Sequence, residues 1–120
     1  MKSMPNLQRI LGFEHMSKLY SIVYSPKALE DLKDIYVYIA DELQAPGTAR
    51  NQIDRIRKKI RSLDFMPSRY VFVDWEPWKS MGMHKIPVDN FIVFYTVDDD
   101  AMTVGIVRIV YSGRDMENLT

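Results

Sequence analysis

Arg108, Tyr111 and Arg114 fall close together at the end of the last strand-like run, and these residue types can do chemistry on phosphates. Arginine stabilises a phosphorane-like transition state, and tyrosine can stack on a base or move a proton. The same side chains have structural uses. Arg114 can pair with Asp115, and Arg108 with a carboxylate of the first helix. His84 could act as a general base at its usual pKa. It has no obvious nucleophile beside it in the sequence, and a lone strand histidine is more often half-buried packing. Arg50, Arg55, Arg57, Lys58, Lys59 and Arg61 are opposed only by Asp54 on the outer face of a helix-like stretch. Such a face can meet phosphates, although a solvated helix face is the commoner use of such charges. Trp75 and Trp78 flank Glu76-Pro77 and read as packing at a strand end rather than a stacking platform.

Much other chemistry is excluded. The chain has no cysteine, so disulfides, thiol nucleophiles and Cys-ligated metals are ruled out. It has only two histidines, and its five glycines are scattered rather than gathered into a phosphate loop. No Gly-x-Ser-x-Gly or His-Glu-x-x-His motif occurs. No cofactor and no metal is expected. The 120 residues carry zero net charge, with 47% apolar and 27% charged residues, which fits one globular domain. No apolar run approaches the roughly 20 residues of a membrane span, and Met1 to Met16 lacks the apolar stretch of a signal peptide. The expected address is the cytoplasm.

The elements that must position these residues can be read from periodicity. Residues 1–18 read as an N-terminal extension, from an upstream start or added to the native chain, and 19–120 as the domain. Leu19 to Tyr24 alternates as a strand, and Ser25-Pro26 supplies an N-cap and a first helical residue. Leu29, Leu32, Ile35, Tyr36 and Ile39 follow at helical spacing, with an acidic outer face. After Gln44-Ala-Pro-Gly47 a second helix places Ile53, Ile56, Ile60 and Leu63 inward. Four strand-like segments come next: Tyr70 to Trp75, Met83 to Val88, Phe91 to Val97 and Met102 to Tyr111. The expected fold is α+β in the order β-α-α-β-β-β-β, with a two-helix hairpin packed on an antiparallel sheet.

A two-residue turn at Asp89-Asn90 pairs Val88 with Phe91, Ile86 with Val93 and His84 with Tyr95. A turn at Asp99-Asp100 pairs Tyr95 with Val104 and Phe91 with Arg108. The face with Ile86, Val93, Tyr95 and Ile106 is expected to pack on the helices. The other face places Lys85 and Tyr111 together and is also apolar at Ile92, Phe94, Val107 and Ile109. A face that apolar needs a cover: a partner chain or a ligand, or else residues 1–18 or the C-terminal tail.

Taken together, about Leu19 to Asp115 resembles the RelE/ParE superfamily of type II toxin–antitoxin toxins, known also from plasmid stabilisation systems. The resemblance is carried by Tyr24-Ser-Pro-Lys-Ala-Leu-Glu-Asp-Leu-Lys-Asp-Ile35, by Ile56 to Leu63 before Met66-Pro67, and by Glu76-Pro-Trp-Lys-Ser80. Pro87-Val-Asp-Asn-Phe-Ile-Val-Phe-Tyr95 and the ending Val107-Arg-Ile-Val-Tyr-Ser-Gly-Arg-Asp115 complete it. It implies a cytoplasmic growth inhibitor held in a hetero-oligomer by an antitoxin encoded by an adjacent gene. The antitoxin would cover Ile92, Phe94, Val107 and Ile109.

The resemblance implies two activities. RelE-like members are mRNA interferases, endoribonucleases that cut mRNA on the ribosome without a metal. On that reading Lys85, Tyr111 and Arg114 are the catalytic set, and Arg57, Lys58, Arg61 and His84 bind the nucleic acid. ParE-like members inhibit DNA gyrase and are not enzymes; the Arg114-Asp115 ending is common among them. Pro87 and Ile92 stand where RelE-like enzymes carry basic residues, and no tyrosine ends the chain. A decayed module that binds only its antitoxin is the third reading.

Overall fold

Ser25 begins the helical part as its sequence suggests: its hydroxyl accepts a hydrogen bond of 2.9 Å from the Ala28 N–H, and Pro26 occupies the first turn. The computed structural model describes residues 19–116 and Leu119, and the expected extension at 1–18 lies outside them. Strand β1 is Ser21–Tyr24 and helix α1 is Pro26–Val37, prolonged by a wider π-helical turn at Tyr38–Glu42. Gln44, at a left-handed φ of 50°, turns the chain into helix α2, Pro46–Arg61. Strands β2 (His84–Val88), β3 (Phe91–Asp98) and β4 (Thr103–Tyr111) follow.

Two helices thus pack on a four-stranded sheet of order β1-β4-β3-β2. The expected α+β class holds, with two differences in the sheet. It is mixed, because β1 lies parallel to β4, pairing Ser21 with Thr103 and Tyr24 with Ile106. The helical hairpin between β1 and the later strands supplies the long connection that parallel pairing needs. Secondly, Tyr70 to Trp75 forms a single bridge, Phe72 to His84, instead of a strand. Beyond that bridge the chain doubles back through turns, which seats Trp78 and Met83 on Phe94 and leaves the ladder.

The β2–β3 register is the expected one, with His84 opposite Tyr95 and Val88 opposite Phe91. The β3–β4 register is not. Its turn runs through four residues, Asp99 to Met102, so Tyr95 faces Ile106. A β-bulge then intervenes: Phe94 faces Arg108, leaving Val107 unpaired, and Phe91 faces Tyr111. One extra residue reverses the facing of everything after it.

Two cores result, one on each side of the sheet. Leu32, Ile56, Ile86, Val93, Tyr95 and Ile109 lie in the core beneath the helices, with Ile35 and Phe91 against it. On the far side Val73, Trp78, Met83, Phe94 and Val110 form the second core, with Trp75, Ile92, Val107, Met116 and Leu119 packed on it. The open apolar face expected of Ile92, Phe94, Val107 and Ile109 is therefore corrected. Phe94 is fully buried by the chain's own tryptophans, and Ile109, 1% exposed, is turned under the helices by the bulge. Ile92 and Val107 are half-buried beneath the same cover.

Candidate functional site

Tyr111 and Arg114 do come together. β4 ends at Tyr111, whose ring meets Phe91 edge-on at 6.2 Å, and the Arg114 N–H donates to the Tyr111 carbonyl at 3.1 Å. Both line a cleft of about 550 Å³ against α1, whose wall is Asp31, Asp34, Ile35 and Tyr38. Tyr111 is 59% exposed at its mouth.

Lys85 is not part of this cleft. It faces Phe94 on the far side of the sheet, and its ammonium lies 5.4 Å from the centre of the Trp75 ring. A straight β4 would have put Tyr111 on that same side. The bulge puts Tyr111 opposite Phe91, on the helix side, so the expected sharing of a face by Lys85 and Tyr111 is corrected. The Trp75 indole N–H, buried beside Lys85, has no partner among the described residues.

His84, expected among the nucleic-acid-binding residues, lies buried. It is 2% exposed, with its Nδ1 2.9 Å from the Tyr70 carbonyl. Its ring stacks between Phe72 at 4.2 Å and Tyr95 at 5.1 Å. Burial also pushes the Tyr95 phenol far above its ordinary value, and its hydroxyl donates to the Pro67 carbonyl at 2.6 Å.

The basic residues of α2 meet two different surroundings. Arg57 and Arg61 flank Tyr24 of β1; burial raises that phenol and the two guanidiniums pull it back. Lys58, with Arg55, Lys59, Arg69 and Asp89, lines a groove beside β2. There Arg55 and Gln52 both donate to Asp89, at 2.7 and 3.0 Å. The Arg55 bond, then the Gln52 bond, hold the Asp89 carboxyl below the usual carboxylate range. Lys58 and Lys59 also sit in the last turn of α2, where cations offset the negative end of the helix.

The expected partner of Arg108 is Asp31 of α1, at 2.8 Å from Nε. An arginine within an otherwise apolar strand was the signal for it. Nothing in the sequence pattern marked Asp34 and Tyr38 as neighbours of Tyr111, because they stand 77 and 73 residues before it and only folding brings them together. Among the described residues no cluster of His, Asp or Glu could hold a metal ion, and no helix is long and apolar enough to cross a membrane.

The family model described as "ParE toxin of type II toxin-antitoxin system, parDE" matches residues 22–116. In structure the chain is similar to a chromosomal ParDE system from P. aeruginosa, with a TM-score of 0.64 and 21% identity, over 79% of this chain and 98% of that one. It is also similar to the toxin–antitoxin complex RelBE2 from Mycobacterium tuberculosis, with a TM-score of 0.58 and 18% identity, over 78% of this chain and 98% of that one. No curated protein matches it in sequence.

Proposed function

The chain belongs to the ParE toxin family of type II toxin–antitoxin systems, and from that membership we propose that it arrests growth by binding DNA gyrase rather than by cleaving mRNA. What supports a binding mechanism is the position of Lys85. Metal-free cleavage of RNA needs a group to activate the 2′-hydroxyl, a cation at the phosphate and a donor for the leaving oxygen, all within reach of one linkage. Tyr111 and Arg114 share the α1 cleft, but Lys85 stands across the sheet beside Trp75. The same cleft is lined by Asp34, whose carboxylate disfavours a phosphate there, and by Asp31, which is already paired with Arg108.

The neutralising partner on this reading is an antitoxin encoded by an adjacent gene; the chain is similar in structure to a ParDE system and to the RelBE2 toxin–antitoxin complex. With the far side of the sheet closed, the apolar surface left for it lies elsewhere. Leu29, Val37, Tyr38 and Leu43 are exposed on the helical side, and Val71 and Phe72 beside β2.

Induced expression without antitoxin, with pulse labelling of DNA and protein synthesis, tests the reading. The expected result is an early stop in DNA synthesis with gyrase-linked breaks, and no relief in Lys85→Ala. An early stop in protein synthesis, relieved by both Lys85→Ala and Arg114→Ala, would establish the ribonuclease instead. No effect on growth would leave a module that only binds its antitoxin.

A further inference from the structure

The alternation of β4 does not choose its own register. From Ile106 to Tyr111 both faces are nearly equally apolar: Ile106, Arg108 and Val110 on one, Val107, Ile109 and Tyr111 on the other. A strand patterned in this way is weakly specified against a slip of one residue. A straight ladder continuing from Tyr95–Ile106 would pair Phe94 with Val107, Ile92 with Ile109 and Phe91 with Val110. It would place Arg108 beside Val93 and move Tyr111 to the side of Lys85.

Asp31 is the side chain that tells these two arrangements apart. It is 6% exposed and accepts three hydrogen bonds from the bulged stretch. Arg108 donates from Nε at 2.8 Å and from Nη2 at 3.2 Å, and the Ile109 backbone N–H donates at 2.9 Å. β1 stops pairing at Tyr24–Ile106, so among the described residues no strand lies beside this edge of β4 further on. The start of α1 takes that place: the Ser25 hydroxyl donates to the Val107 carbonyl at 2.9 Å, and Asp31 accepts the next N–H along. In a straight ladder the alternation of backbone groups would turn the N–H of Arg108, not of Ile109, toward α1. A buried ion pair adds little stability over apolar packing of the same volume, and specifying register is its best-attested use.

We propose that Asp31 is a positioning residue that selects the bulged register of β4, and so keeps Tyr111 and Arg114 in the α1 cleft and away from Lys85. The bulge is held from outside the sheet, by one carboxylate on a helix. Its removal frees the strand to pair straight, in which case Lys85 and Tyr111 meet on one face. This inference concerns the chain's own register and stands whichever cellular target the toxin has.

The test compares three full-length chains by NMR: the native one, Asp31→Asn, and the volume-conserving pair Asp31→Leu with Arg108→Met. In the native chain the expected readouts are cross-strand contacts joining Phe91 to Tyr111 and protection of the Ile109 amide from exchange. Asp31→Asn keeps an acceptor for that amide and is expected to keep the bulged contacts. The double variant is expected to fold, to show a second set of contacts joining Phe91 to Val110, and to lose Ile109 protection roughly 10- to 100-fold, as a lost bond to a charged acceptor implies. A purely structural role would lower the melting temperature without a second set of contacts, and that result overturns the proposal. So does a double variant that cannot fold, since the pair would then supply stability rather than a choice of register.

Discussion

Replacing Ile109 by alanine asks directly which face of the sheet this residue occupies. Ile109 is 1% exposed in the core beneath the helices, with Leu32, Ile56 and Val93. The substitution removes three carbons. At about 0.8 kcal/mol for each buried methylene-sized group, the transfer loss is about 2.4 kcal/mol. The neighbours come from three different elements, α1, α2 and β3, so the site collapses only in part and a cavity term adds about 1 kcal/mol. The expected loss is about 3–4 kcal/mol, a large share of the roughly 5–15 kcal/mol of a typical domain. For about a hundred ordered residues it corresponds to a fall in melting temperature of roughly 12–25 °C. Urea denaturation and thermal melting followed by circular dichroism measure it. Val107→Ala is the comparison, since Val107 is half-buried on the other side and its loss should cost about 1 kcal/mol. Equal effects at the two positions, or a loss at Ile109 below about 1 kcal/mol, would refute the bulged register and return Ile109 to the outer face.

Tyr95→Phe leaves the buried Pro67 carbonyl without its 2.6 Å donor and should cost about 1–2 kcal/mol in urea denaturation. Because burial raises the Tyr95 phenol, its contribution is complete below the unfolded value near pH 10 and is lost as pH rises above it; Tyr95→Phe should flatten that alkaline limb of the stability curve. Asp89 works in the opposite direction: its carboxyl is held low by Arg55, so its contribution is present above the unfolded value near pH 4 and lost as pH falls through the folded one. Asp89→Asn should therefore weaken the acid dependence of melting, and an unchanged acid limb would remove Arg55–Asp89 from the account. His84→Ala loses two ring contacts and the bond to Tyr70; it should destabilise by about 1–3 kcal/mol while arresting growth by the same route as the native chain.

Sequence alone determined the parts of this protein whose order is written locally. Ser25-Pro26 marks a helix start because capping and a fixed φ act within one turn. The spacing of Leu32, Ile35, Ile56 and Ile60 assigns two helices, and Asp89-Asn90 sets the β2–β3 register through a tight turn. Even the pairing of Arg108 with a carboxylate of the first helix was legible, since a charge in an apolar strand needs a partner. Tertiary structure decided what alternation cannot express. In β4 both faces are apolar, so period-two reasoning gives either answer, and a carboxylate from α1 makes the choice. That choice moved Ile109 into the core and Tyr111 away from Lys85. The far face of the sheet was likewise apolar in sequence and open to any cover; the chain covers it itself, because Trp75, Trp78 and Met83 fold back on Phe94. Which residues share a site thus depended on one extra residue in a ladder, a geometric event set by contacts between residues far apart in the chain.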